Sequence, residues 1–137
     1  IMARIFKEAP VNTIWEGSGN VMCLDVLRAI QREPESIEVL FQDLASTAMQ
    51  DETLKNALQS LFKLFQQSPE DLQFMGRSLV SRLVILAQAV LLKRHAPDFV
   101  AHGFIQSRYR AFHGQVVGML NSRDVDVEQL LQRAFAS

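Results

Sequence analysis

One cysteine, four prolines, one tryptophan and one tyrosine in 137 residues leave this chain little covalent or turn chemistry to work with. A lone Cys23 excludes an internal disulfide and suits a reducing compartment. Formal net charge is −1, which excludes an overall basic nucleic-acid binder. Disorder is excluded as well, because 48% of the residues are apolar. The most apolar run, 79–92, is broken by Ser81, Arg82 and Gln88 and is too short to span a bilayer. The opening "IMARIFKEAP" has no apolar core followed by a small-residue cleavage site, so no secretory leader is visible. A soluble globular class, no membrane partner and a cytoplasmic location are the expectations. His95, His102 and His113 have no carboxylate or thiol at a regular ligand spacing, so no metal site is expected.

What the chain does have is helical periodicity. Residues 1–9 space their apolar positions as a helix with no cap ahead of it, which reads as the tail of a truncated helix and makes the chain a fragment. Val21, Leu24, Val26, Leu27 and Ile30 mark a second helix, ended by the Glu33–Pro34 step. Ile37, Leu40, Phe41, Leu44, Ala45 and Ala48 form one amphipathic stripe, and Leu54, Ala57, Leu58, Leu61 and Phe65 form another. Ser68 followed by Pro69 and two acids announces a helix start. That helix, 71–94, carries a broad apolar face widened by Val80, Val84 and Leu91, which implies that the others surround it. Asp98 is read as the cap of a helix through Phe104, and Asp126 as the cap of a last short one. Gly114 and Gly118 read as turns. No segment keeps a period of two, so the fold class is all-α, a helical bundle with short connections.

The loop "WEGSG" at 15–19 is where chemistry concentrates. Ser18 can cap the following helix, and Gly17 and Gly19 permit close backbone approach. Free N–H groups at a helix start favour an anion. Glu16 beside the Trp15 ring is a candidate base, because an apolar wall raises a carboxyl pKa. A plain glycine turn into a capped helix accounts for the same residues.

The stretch "ARIFKEAPVNTIWEGSGNVMCLDVLRAI" closely resembles a motif late in acyl-CoA dehydrogenases, in which an aromatic–Glu–Gly–Thr/Ser loop enters a helix of the C-terminal bundle. Its Trp-Glu-Gly-Ser-Gly-Asn form resembles the AidB-like, alkylation-response branch. The specific match covers about the first 32 residues, so 1–32 is taken as the end of that bundle and 33–137 as a helical extension. The resemblance implies an FAD-dependent parent in which Glu16 removes the α-proton of an acyl-CoA thioester while hydride leaves the β-carbon for FAD. It places Gly17 and Ser18 beside the flavin and Trp15, in place of the usual tyrosine, in the substrate pocket. Lys7 stands where related sequences carry arginine. The flavin of this family is held mainly by parts that lie outside 1–137, so the chain alone is expected to be inactive and without FAD.

Two other functions compete. The alkylation-response resemblance implies double-stranded DNA binding through the C-terminal helices. Residues 93–137 hold Lys93, Arg94, Arg108, Arg110, Arg123 and Arg133 against four acids, with Tyr109, between Arg108 and Arg110, placed to stack on a base or ribose. Cationic residues at helix C-termini explain several of these without DNA. The third function is structural: the stripes at 37–48 and 54–65 would pack copies of the chain into a homo-oligomer.

Overall fold

The computed structural model describes residues 2–13, 19–110 and 123–135. Among these are seven α-helices and no strand: α1 (Met2–Glu8), α2 (Gly19–Arg32), α3 (Pro34–Ala48), α4 (Glu52–Phe65), α5 (Pro69–His95), α6 (Asp98–Ile105) and α7 (Val127–Ala134). A 3₁₀ turn, Ala9–Thr13, follows α1, and a π-helical turn, Gln106–Arg110, extends α6. The all-α bundle expected from periodicity is what forms.

Local signals set most boundaries. Ser68 accepts the Asp71 amide at 3.2 Å with Pro69 in the first turn of α5. Asp126 accepts the Gln129 amide at 3.0 Å and opens α7. Asp51 caps α4 by accepting the amides of Thr53 at 3.0 Å and Leu54 at 3.2 Å. One cap differs from expectation: Pro97, not Asp98, precedes α6, and no side chain caps that helix. Asp98 falls inside the first turn instead, where its charge still suits the helix N-terminus. The turns expected at Gly114 and Gly118, and the Ser18 cap, lie outside the described residues.

The core is where α3, α4 and α5 meet. Leu44, Leu54, Leu61, Leu79, Leu86 and Val90 are buried, and Ala48 and Ala89 are fully enclosed where the helix backbones approach. Each large aliphatic side chain buried this way stabilises by roughly 1.5–3 kcal/mol relative to exposure. Phe41 of α3 meets Phe65 and Phe62 of α4 edge to face, at 5.4 Å and 5.8 Å between ring centres. Most of the stripe residues of α3 and α4 are therefore spent within the chain.

α5 is not surrounded as its broad apolar face suggested. α2, α3, α4 and α6 pack along it, yet Phe74, Val84 and Leu91 remain 84%, 47% and 50% exposed. The uninterrupted helix is also longer than the 79–92 run. By length and composition it is apolar enough to cross a membrane, with mean hydropathy 1.5 over its best window. Within this fold its buried residues serve as the common wall of the bundle.

Candidate functional site

Trp15, Glu16, Gly17 and Ser18 lie outside the described residues. Their surroundings are visible on the helical side. α2 begins at Gly19 and lies against α5 through Leu27, whose Cδ1 would stand 3.0 Å from a Cβ placed on Gly76. That glycine is what lets the two helices approach so closely. The contact also carries the Arg77 guanidinium to Gly19, 3.8 Å from where a Cβ there would sit. Arg77 thus stands beside the start of α2, a residue that sequence reasoning missed. Only the α2–α5 packing reveals it, because 58 positions separate it from Gly19. Val21, Met22 and Leu24, in the first turns of α2, are 48%, 50% and 40% exposed, so this chain leaves apolar surface open beside the loop. Lys7 is exposed on α1.

The candidate DNA-binding residues divide sharply. Arg94 is engaged inside the chain: its guanidinium donates to Asp43 at 2.9 Å, Thr47 at 2.7 Å and Ser46 at 2.9 Å, and to the Asp43 carbonyl. Lys93 donates to Asp51 at 3.1 Å. Burial pulls the Asp51 carboxyl upward, but the Lys93 hydrogen bond and charge and the Leu54 and Thr53 amides outweigh it, holding the group below its ordinary 3.8. Both cations therefore fasten the end of α5 to α3 and α4. Arg123 borders a cleft with Asp98, His102 and Asp124, an acidic neighbourhood.

Arg108 is exposed and lies over the Phe104 ring, 5.7 Å from its centre. Tyr109 departs from the expected stacking role: its ring packs on the core, and its hydroxyl is enclosed with no hydrogen-bond partner. Burial pushes that hydroxyl up to about 12. Ala101, Ile105 and Tyr109 stand four apart, and that helical spacing is the signal that places the ring inside. Arg110 closes the π-helical turn. The described residues contain no group of three or more His, Cys, Asp or Glu arranged to hold a metal.

Comparison with known proteins adds the deciding observation. The chain is 31% identical over 105 residues to AidB of Escherichia coli (strain K12), which carries the acyl-CoA dehydrogenase name; the match takes in 77% of this chain. Over that stretch the chain is similar to an acyl-CoA dehydrogenase of the AidB kind. It spans about a fifth of its relative's length, 19%. No family model matches the chain, and no solved structure does.

For an AidB-like protein of this family the implied cofactor is a flavin dinucleotide, and the described residues can be tested against it. The first turn of α2 supplies backbone N–H groups and Arg77 brings a guanidinium beside Gly19, donor types that suit an anionic group. The exposed Val21, Met22 and Leu24 suit apolar company. Together they fit one side of such a site.

Proposed function

We propose that this chain is the C-terminal portion of an FAD-dependent acyl-CoA dehydrogenase-like protein, and that Glu16 is its catalytic base. In this account 1–32 closes the family's helical bundle and 33–137 is an extension packed against it. The observation that carries the proposal is the match to AidB, joined to the Trp-Glu-Gly-Ser-Gly loop at the start of α2.

The residues divide the work as follows. Glu16 takes the α-proton of the acyl thioester; that proton is weakly acidic, so the carboxylate must act from a poorly hydrated position. The Trp15 ring supplies that apolar wall and narrows the space for the acyl chain. Gly17 lets the loop backbone approach the cofactor, and the Ser18 hydroxyl is a donor beside it. Arg77 and the α2 N-terminus hold negative charge near the loop. A bound FAD would supply the hydride acceptor. The chain by itself holds no flavin and turns over no substrate, and it works in the cytoplasm.

The test is an anaerobic titration of the full-length parent with short straight and branched acyl-CoAs. Stoichiometric bleaching of a bound flavin by at least one of them is the expected result. A parent purified with flavin that none of them reduces would contradict the dehydrogenase assignment.

A second reading, double-stranded DNA binding in an alkylation response, is favoured by one observation: Arg108 is exposed and has no carboxylate partner among the described residues. Lys93 and Arg94, paired internally, contribute little to it. Its test is a gel shift of a short duplex whose affinity falls with salt and falls further in Arg108→Gln. A shift that Arg108→Gln leaves unchanged would count against it.

A further inference from the structure

Between α4, α5 and the π-helical turn lies a cleft of about 470 Å³. Leu61 and Ile85 give it an apolar floor, while Ser60, Arg82, Arg108 and Tyr109 bring donors to its walls. The volume is within the range of small-molecule sites, roughly 300–1,000 Å³.

Three of the polar groups here, Arg82, Arg108 and the Tyr109 hydroxyl, have no hydrogen bond or ion pair with a described residue. Lys93 and Arg94, on the same helix as Arg82, both have acidic partners. Arg82 has no ion pair or hydrogen bond with a described residue, and Arg108 has only the Phe104 ring. The Tyr109 hydroxyl is enclosed without a partner, an arrangement that native structures seldom leave unfilled. Among the described residues no carboxylate lines the cleft, so the two guanidinium charges have no counterion from its described lining. The Tyr109 phenol is protonated at neutral pH and so can donate, as the arginines do. Two guanidinium groups, which only donate, beside hydroxyls that can donate and over an apolar floor suit a ligand with a negative head and an apolar body.

We propose that this cleft binds a small amphipathic anion, a carboxylate or phosphomonoester head on a short apolar body. Arg82 and Arg108 hold the head, Ser60 and Tyr109 add neutral donors, and Leu61 and Ile85 lie under the body. The site uses none of residues 15–18 and stands apart from the dehydrogenase proposal. A DNA duplex would engage the two arginines through its phosphates, but it has no use for the apolar floor or the enclosed hydroxyl.

The experiment is a titration of the isotope-labelled 137-residue chain at fixed ionic strength, followed by amide chemical shifts and calorimetry. The probes are octanoate, octyl phosphate, inorganic phosphate and a short DNA duplex. Saturable binding of an octyl probe is expected, with shifts centred on Ser60, Ile85 and Tyr109 and affinity at least tenfold above that of inorganic phosphate. Whichever octyl probe binds more tightly identifies the head. The double variant Arg82→Gln/Arg108→Gln should weaken binding tenfold or more. Tyr109→Phe, which keeps the ring, should weaken it several-fold with helicity unchanged. The proposal is overturned if neither octyl probe binds below millimolar concentration or if the double variant binds as well as the native chain. It is equally overturned if inorganic phosphate matches the octyl probes or if the duplex outcompetes both.

Discussion

Tyr109 is the chain's single tyrosine, so its ionisation can be followed by tyrosinate absorbance without assignment. Burial raises its pKa from 10.0 to about 12. The unfolded chain loses this proton first, so the stabilisation is complete below pH 10 and drains away as pH climbs towards 12. We expect a titration midpoint near 12 in the folded chain and a fall in melting temperature over that window, which Tyr109→Phe should flatten. A midpoint at the free-tyrosine value would contradict the enclosed hydroxyl. Arg94 makes a second residue-scale test. Its planar fork reaches Asp43, Thr47 and Ser46 at once, which a lysine ammonium cannot do. Arg94→Lys should cost about 1 kcal/mol, a modest figure because the Asp43 side chain is 60% exposed. Denaturant unfolding of the two proteins measures it.

At the scale of elements, helix starts and helix contacts behave differently. Asp51 closes the N-terminus of α4 and anchors Lys93 of α5, so Asp51→Ala should cost at least about 1 kcal/mol in thermal or denaturant unfolding. Its carboxyl is held below 3.8, so its contribution is complete above that pH and is lost as pH falls through the lower folded value. Asp51→Asn should remove that part of the acid sensitivity. Gly76→Ala sets two effects against each other. Alanine favours the helix by about 1 kcal/mol. Its Cβ, however, meets Leu27 Cδ1 at 3.0 Å, and Leu27 is only 4% exposed, so it has little room to give way. Overpacking of roughly 1–3 kcal/mol should prevail, and the variant should melt lower. Caps such as Ser68 and Asp126 were legible in the sequence because the capping bond spans only three residues. The Lys93–Asp51 and Arg94–Asp43 pairs were not, since they join positions 42 and 51 residues apart through the packing register of α5 on α3 and α4. Tyr109 was misjudged for a different reason: flanking arginines suggested surface, whereas the spacing from Ala101 and Ile105 set the burial. Arg77 was hidden for the same long-range reason as the ion pairs.

At the scale of the whole molecule, α5 is the shared wall, and a different part of it meets each region. Its N-terminal half brings Arg77 to the start of α2, its middle brings Arg82 to the proposed anion cleft, and its last turn clamps α3 and α4. The loop itself was legible only as a motif; periodicity said no more than that a helix follows it. The exposed apolar start of α2 and the 19% share of AidB's length both direct attention to the full-length protein, in which Glu16 is proposed to act. The most direct measurement is therefore the rate of flavin reduction by one saturating acyl-CoA in the parent and in its Glu16→Gln variant. Flavin content should be the same in both, and the variant's rate should fall by roughly 10²–10⁴, the range a positioned base contributes. Equal rates with equal flavin would contradict the assignment of Glu16 as the base.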